Sequence, residues 1–180
     1  VVNGGMVSYV VVLLTDGYGV GLGAANLTLT GIFAFSGIWV LYGGVIIDRV
    51  ARGPDTVIAA SFGLAAPLVA IVATIAIPPA AAIALVLLIG AAQGPSEPAV
   101  SSVTDAFSAE GNLGRNMAII TVGTYAGNGV APPLIGWLID TADLRSAFLF
   151  MAVAGVVAAL LMVGITRRYG DRAALRASAD

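Results

Sequence analysis

Glu97 is the one charged residue that falls well inside a long apolar stretch of this 180-residue chain. Gln93 precedes it, and Ser101 and Thr104 follow. Positions i, i+4, i+8 and i+11 lie on one face of an α-helix, so these four side chains form a polar stripe. A carboxylate in apolar surroundings is suited to take up and release a proton. A second stripe is made by Thr121, Thr124, Tyr125 and Asn128, and a shorter polar set, Asn3, Ser8 and Tyr9, stands near the start of the chain. Pro95, Pro98, Pro132 and Pro133 lie in the same two apolar stretches as the longer stripes, as prolines do where a helix bends around a binding site. A different kind of cluster, Asp48, Arg49 and Arg52, follows directly on Gly43-Gly44 in the stretch GGVIIDRVARG.

The chemistry open to these groups is narrow. The chain has no His, no Cys and no Lys. Disulfides, thiolate nucleophiles and His or Cys metal sites are therefore excluded. Without a nucleophile elbow or the usual acid–base residues, no enzyme activity is supported, and no cofactor motif is present. The net charge is −2 and there is no basic run, which argues against nucleic-acid binding.

What must position these groups is an assembly of membrane helices. Hydrophobic residues make up 59% of the chain, charged residues 10%, and the mean hydropathy is +1.00. Soluble domains carry about 25% charged residues. A bilayer core requires about 20 consecutive apolar residues in helical form. Uncharged stretches occur at Val1–Leu14, Leu27–Ile47, Val57–Ile77, Ala80–Val103, Met117–Ile139 and Ala147–Ile165, which predicts six spans within residues 1–166 and a cytoplasmic tail over 167–180. Pro78-Pro79 predicts the turn that keeps the third and fourth spans apart, because two missing N–H donors break a helix. Trp39 and Trp137, near span ends, read as interfacial anchors.

If six spans alternate, Arg49, Arg52, Arg115, Arg167, Arg168, Arg172 and Arg176 fall on one side and Arg145 alone on the other. The positive-inside rule then places both ends of this segment in the cytoplasm. The chain opens on VVNGGMVSYVVVLL, without Met or a basic leader, and we expect it to be a fragment cut within a hydrophobic segment.

The chain also repeats itself. GWLID, ending at Asp140, echoes GVIID, ending at Asp48, and the offset of 92 also relates Gly19 to Gly111, Gly31 to Gly123, Gly37 to Gly129 and Gly63 to Gly155. A three-span unit used twice enters the membrane from opposite sides, which predicts a 3+3 inverted repeat of the kind found in secondary transporters.

The run Gly44-Val45-Ile46-Ile47-Asp48-Arg49-Val50-Ala51-Arg52 resembles the signature loop of the major facilitator superfamily, in the form taken by its second copy. GAAQGPSEPAVSSVTD, GNGVAPPLIGWLID and RSAFLF resemble the family's tenth to twelfth helices. Gln93-Gly94 is similar to an Arg-x-x-Gln-Gly motif of the first half, but Gly90 stands where the arginine belongs. The resemblance therefore implies the C-terminal six-helix half of a twelve-helix, all-α integral membrane fold, whose partner is an N-terminal six-helix half absent from this chain. It implies that Gly44, Asp48, Arg49 and Arg52 form a loop that latches the two halves in one access state.

The expected function is secondary active transport of a small solute across the plasma membrane by alternating access. Candidate cavity residues are Gln93, Glu97, Ser101, Thr121, Thr124, Tyr125, Asn128, Asn3 and Tyr9, with Glu97 as the candidate proton carrier. For Gln93 and Asn128, interhelical hydrogen bonding fits as well as substrate contact. Two other readings of six spans are a channel that encloses its own pore and a scaffold that uses its glycine faces only for assembly.

Overall fold

A computed structural model of the chain describes residues 2–49, 53–108 and 111–177. Its helices are α1 (Val2–Val12), which runs into a π-helical turn at Leu13–Gly17, then α2 (Leu22–Arg49), α3 (Pro54–Thr74), α4 (Pro79–Gln93), α5 (Ser96–Phe107), α6 (Leu113–Thr141) and α7 (Leu144–Ala177). No strand is present among the described residues. Long helices follow from the composition, since backbone groups in a bilayer must find their hydrogen bonds within the segment itself.

Four stretches are long and apolar enough to cross a membrane: Leu22–Ile47, Pro54–Thr74, Pro79–Ala106 and Leu144–Arg168. The apolar helix at Gly4–Gly17 is shorter. At 29 residues α6 has ample length, but Gly, Thr, Asn and a Pro pair dilute its hydropathy and keep it out of that group.

Local chemistry sets the helix ends. Pro54 and Pro79 occupy the first turns of α3 and α4, where a missing N–H is harmless and a fixed φ helps. At the expected Pro-Pro turn, α3 closes at Thr74 and Ile75 is already extended, so the connection begins before the prolines. Asp143 caps α7, accepting a hydrogen bond from the Ser146 amide at 2.6 Å. The bonds from Ser146 hold its carboxyl below the usual aspartate range. Gly19 (φ 65°) and Gly111 (φ 83°) take left-handed turns just ahead of α2 and α6. These glycines stand at the 92-residue offset.

The most extensive interface is α3 along α7; α2 packs on α4 and α5, and α1 on α6. Val10, Leu14, Val69, Val86, Ile135, Phe148 and Met151 are the largest fully buried side chains and tie α1, α3, α4, α6 and α7 together. A smaller cluster, Val57, Ile58 and Ala99, joins the start of α3 to α5. The outer faces of α2, α6 and α7 stay apolar and exposed, as Leu41, Val122 and Leu160 illustrate. In water such faces would drive aggregation; in a bilayer they are the expected lipid-facing surface.

Candidate functional site

The fourth apolar stretch is a broken helix. Pro95 and Pro98 carry no N–H, so the carbonyls of Ala91 and Gly94 lose their ordinary helical donors. The Gly94 carbonyl is re-bonded by Glu97 N–H in a tighter i→i−3 turn at 3.4 Å, and the ordinary bond from Ala99 N–H to the Pro95 carbonyl is stretched to 3.4 Å. The Ser96 hydroxyl donates to the Gln93 carbonyl at 2.6 Å. The joint between α4 and α5 thus falls at Gly94-Pro95, with Gln93 on one side and Glu97 on the other.

Glycines let α2 press against this joint. A Cβ added at Gly94 would lie 2.6 Å from the Ser36 carbonyl oxygen, and one at Gly90 would lie 3.1 Å from that of Ile32. From the opposite helix, a Cβ at Gly43 would lie 2.7 Å from Pro98 Cγ and 3.1 Å from Pro95 Cα. Close backbone approach of this kind is how membrane helices gain packing energy where burial from water contributes nothing. The two residues of the Gly43-Gly44 pair therefore differ. Gly43 makes the close approach, whereas Gly44 is exposed with open space around its α-carbon.

Beside this contact α1, α2, α4 and α5 enclose a cavity of about 130 Å³. Gln93 and Glu97 both line it, together with Ser36 and Ser96. The remaining lining, including Met6, Ile32, Phe33 and Val86, is apolar. Among the described residues no arginine borders it. Such a space suits a small solute with an apolar body and a few hydrogen-bonding groups, and its carboxylate favours a neutral or cationic one.

The rest of the expected polar stripe lies beyond that cavity. Ser101 is exposed one turn on, its hydroxyl donating to the Glu97 carbonyl at 3.3 Å. Thr104 is buried and lines a separate crevice with Asn116 and Ile120. Glu97, Ser101 and Thr104 share the unbroken helix α5, and it is the end of the cavity at Glu97 and the packing of Asn116 and Ile120 beside Thr104 that separate them.

The α6 stripe also stays apart from this cavity. Thr121, Thr124 and Tyr125 are exposed, Tyr125 at 72%. Asn128 meets α1 instead: a Cβ at Gly4 would lie 3.1 Å from its Oδ1. The Tyr9 hydroxyl donates to the Pro132 carbonyl at 3.0 Å, in the room left by Gly136. Tyr9 and Asn128 thus sit at the α1–α6 contact, while Met6 and Val7 of α1 reach the cavity.

Of the expected latch loop, Arg49 is exposed in the last turn of α2. Arg52 lies outside the described residues, as do the side chains of Asp48 and Asn3. Ser36 and Ser96 were missed in the sequence. Ser36 stands as a lone hydroxyl amid the apolar residues Gly31 to Leu41, a signal that was available. Ser96 is marked only by its place beside Pro95.

A family model described as Major Facilitator Superfamily matches residues 1–179. No curated protein and no solved structure matches the chain.

Proposed function

The chain belongs to the major facilitator superfamily of membrane transporters, and from that premise we propose that it works as one half of a secondary active carrier that moves a small solute by alternating access. The observation that carries this reading is the cavity at the α4–α5 joint, where Gln93 and Glu97 face a small, otherwise largely apolar space. Discontinuous helices beside polar groups at membrane depth are where secondary transporters bind solute. In this reading the proton carrier is Glu97. Ser101, Thr121, Thr124, Tyr125 and Asn3 contribute to the larger cleft completed by the N-terminal six-helix half, while Asn128 and Tyr9 hold α1 to α6 at its edge.

The six helical rods, counting α4 and α5 as one, form a 3+3 inverted repeat. The matched left-handed glycines, Gly19 and Gly111, support it, since each leads into the second helix of its unit. Asp48, Arg49 and Arg52 latch onto the other half in one access state. Saturable solute uptake by the complete protein is the expected result, impaired in Asp48→Asn with membrane insertion intact. Linear, unsaturable flux would make the protein a channel, and unchanged kinetics in Asp48→Asn would reduce the loop to a topology signal.

The orientation proposed is a plasma-membrane segment with both ends cytoplasmic. This chain contains no cysteine, so single cysteines at Ser108 and Ala142 report on sidedness once any outside this segment are replaced. An impermeant thiol reagent applied to intact cells should label Ala142→Cys and spare Ser108→Cys. The reverse pattern refutes the orientation, and labelling of both refutes the number of spans.

A further inference from the structure

We propose that the lateral groove between α2, α3 and α4 holds one acyl chain of an anionic phospholipid whose headgroup is paired with Arg49. The groove has a volume of about 450 Å³, within the usual range for small-molecule sites. Ile46, Thr56 and Pro95 stand at its mouth, and Trp39, Leu64 and Leu88 at its inner end. Its walls are almost wholly hydrocarbon. Ser61, the deepest hydroxyl, is buried.

Length decides between occupants. From Thr56 to Leu64 the groove runs about 12 Å along α3 at ~1.5 Å per residue. Its walls on α2 and α4 are about as long. A leaflet contributes roughly 15 Å of a ~30 Å hydrocarbon core, so the groove reaches as deep as one lipid tail does. A partner helix would cross the full core and would need a groove about twice as long.

Charge selects the headgroup. Arg49 lies three residues beyond Ile46, on the same face of α2 and one turn nearer the membrane surface. It is exposed and free to snorkel toward a phosphate. Asp55 stands in the first turn of α3 nearby, so the preference for a negative headgroup rests on Arg49. This inference needs only the membrane location and is independent of the transport mechanism.

The test is native mass spectrometry of the complete protein extracted from nanodiscs of equimolar phosphatidylglycerol and phosphatidylcholine. The wild type should retain a phosphatidylglycerol that Ala60→Trp loses, because Ala60 is an exposed groove residue and the indole fills the space. Ala60→Ser, which leaves the groove open, should retain it. Arg49→Gln should keep a lipid there but lose about five-fold in preference for the anionic headgroup. Equal lipid counts in the wild type and a monodisperse Ala60→Trp would overturn the proposal. So would an Ala60→Cys cross-link to a protein helix instead of to lipid.

Discussion

Glu97→Gln is expected to abolish pH-gradient-driven accumulation in proteoliposomes while leaving substrate exchange intact. Glu97 follows the α4–α5 joint, is exposed, and lines a cavity with no cationic neighbour among the described residues. An ionised carboxylate costs about 2.5–3.5 kcal/mol at the centre of a membrane helix and less toward its end, where the exposed Glu97 stands. When the cavity is open, water removes that cost. When it closes, proton uptake removes it, so a closed and unloaded state is disfavoured by that energy. The carrier would therefore change sides with Glu97 protonated, which couples the solute to the proton. One pH unit stores about 1.4 kcal/mol per proton, enough for a tenfold gradient at one-to-one coupling. Gln is permanently neutral, so the variant should change sides whether or not a proton is supplied. Accumulation should then fall from about tenfold to about onefold, with exchange rates largely kept because exchange moves no net proton. Accumulation that survives would place the coupling group elsewhere. Loss of exchange as well would assign Glu97 to solute binding or to folding.

That prediction rests on a residue visible in the sequence, but its surroundings were only partly visible there. A charge within an apolar run is conspicuous at any register, and prolines announce a break wherever they stand. The direction in which a broken helix resumes is a different matter. It depends on how Glu97 N–H and Ser96 Oγ re-bond the carbonyls of Gly94 and Gln93, and no spacing rule contains those bonds. Gln93 and Glu97, which flank the break, line one cavity, while Thr104, further along the unbroken α5, lines a crevice whose other wall is supplied by Asn116 and Ile120 of α6. On α6 the limit is of another kind. Its polar and glycine positions offer several equally plausible packing faces, and the choice is made by α1, through Gly4 against Asn128 and Tyr9 against Pro132. Contacts between helices more than a hundred residues apart leave little trace in local periodicity.

The Gly43-Gly44 pair offers the sharpest separation of what adjacent, identical residues do. Adding one methyl group at Gly43 places carbon 2.7 Å from Pro98 Cγ and 3.1 Å from Pro95 Cα. Neither a proline ring nor a backbone carbon can swing aside, so α2 must move off the joint. Gly94→Ala meets the same seam from the other side, at 2.6 Å from the Ser36 carbonyl oxygen and 3.2 Å from the Val40 nitrogen. Overpacking of this kind costs typically about 1–3 kcal/mol. Gly44→Ala meets nothing within 4 Å, and replacing a helical glycine by alanine should by propensity stabilise α2 by up to about 1 kcal/mol. The two neighbours should therefore differ in sign. Folded, monodisperse protein surviving a heat step in detergent should drop sharply for Gly43→Ala and Gly94→Ala, and hold or rise for Gly44→Ala. Equal behaviour of Gly43→Ala and Gly44→Ala would refute the α2–α4 seam. The seam also constrains motion. Backbones this close cannot slide past one another without first separating, so in an access change α2 and the α4–α5 joint must travel as one body. In the proposed access change the cavity holding Gln93 and Glu97 would then open by displacement of α1, which supplies its remaining wall through Met6 and Val7.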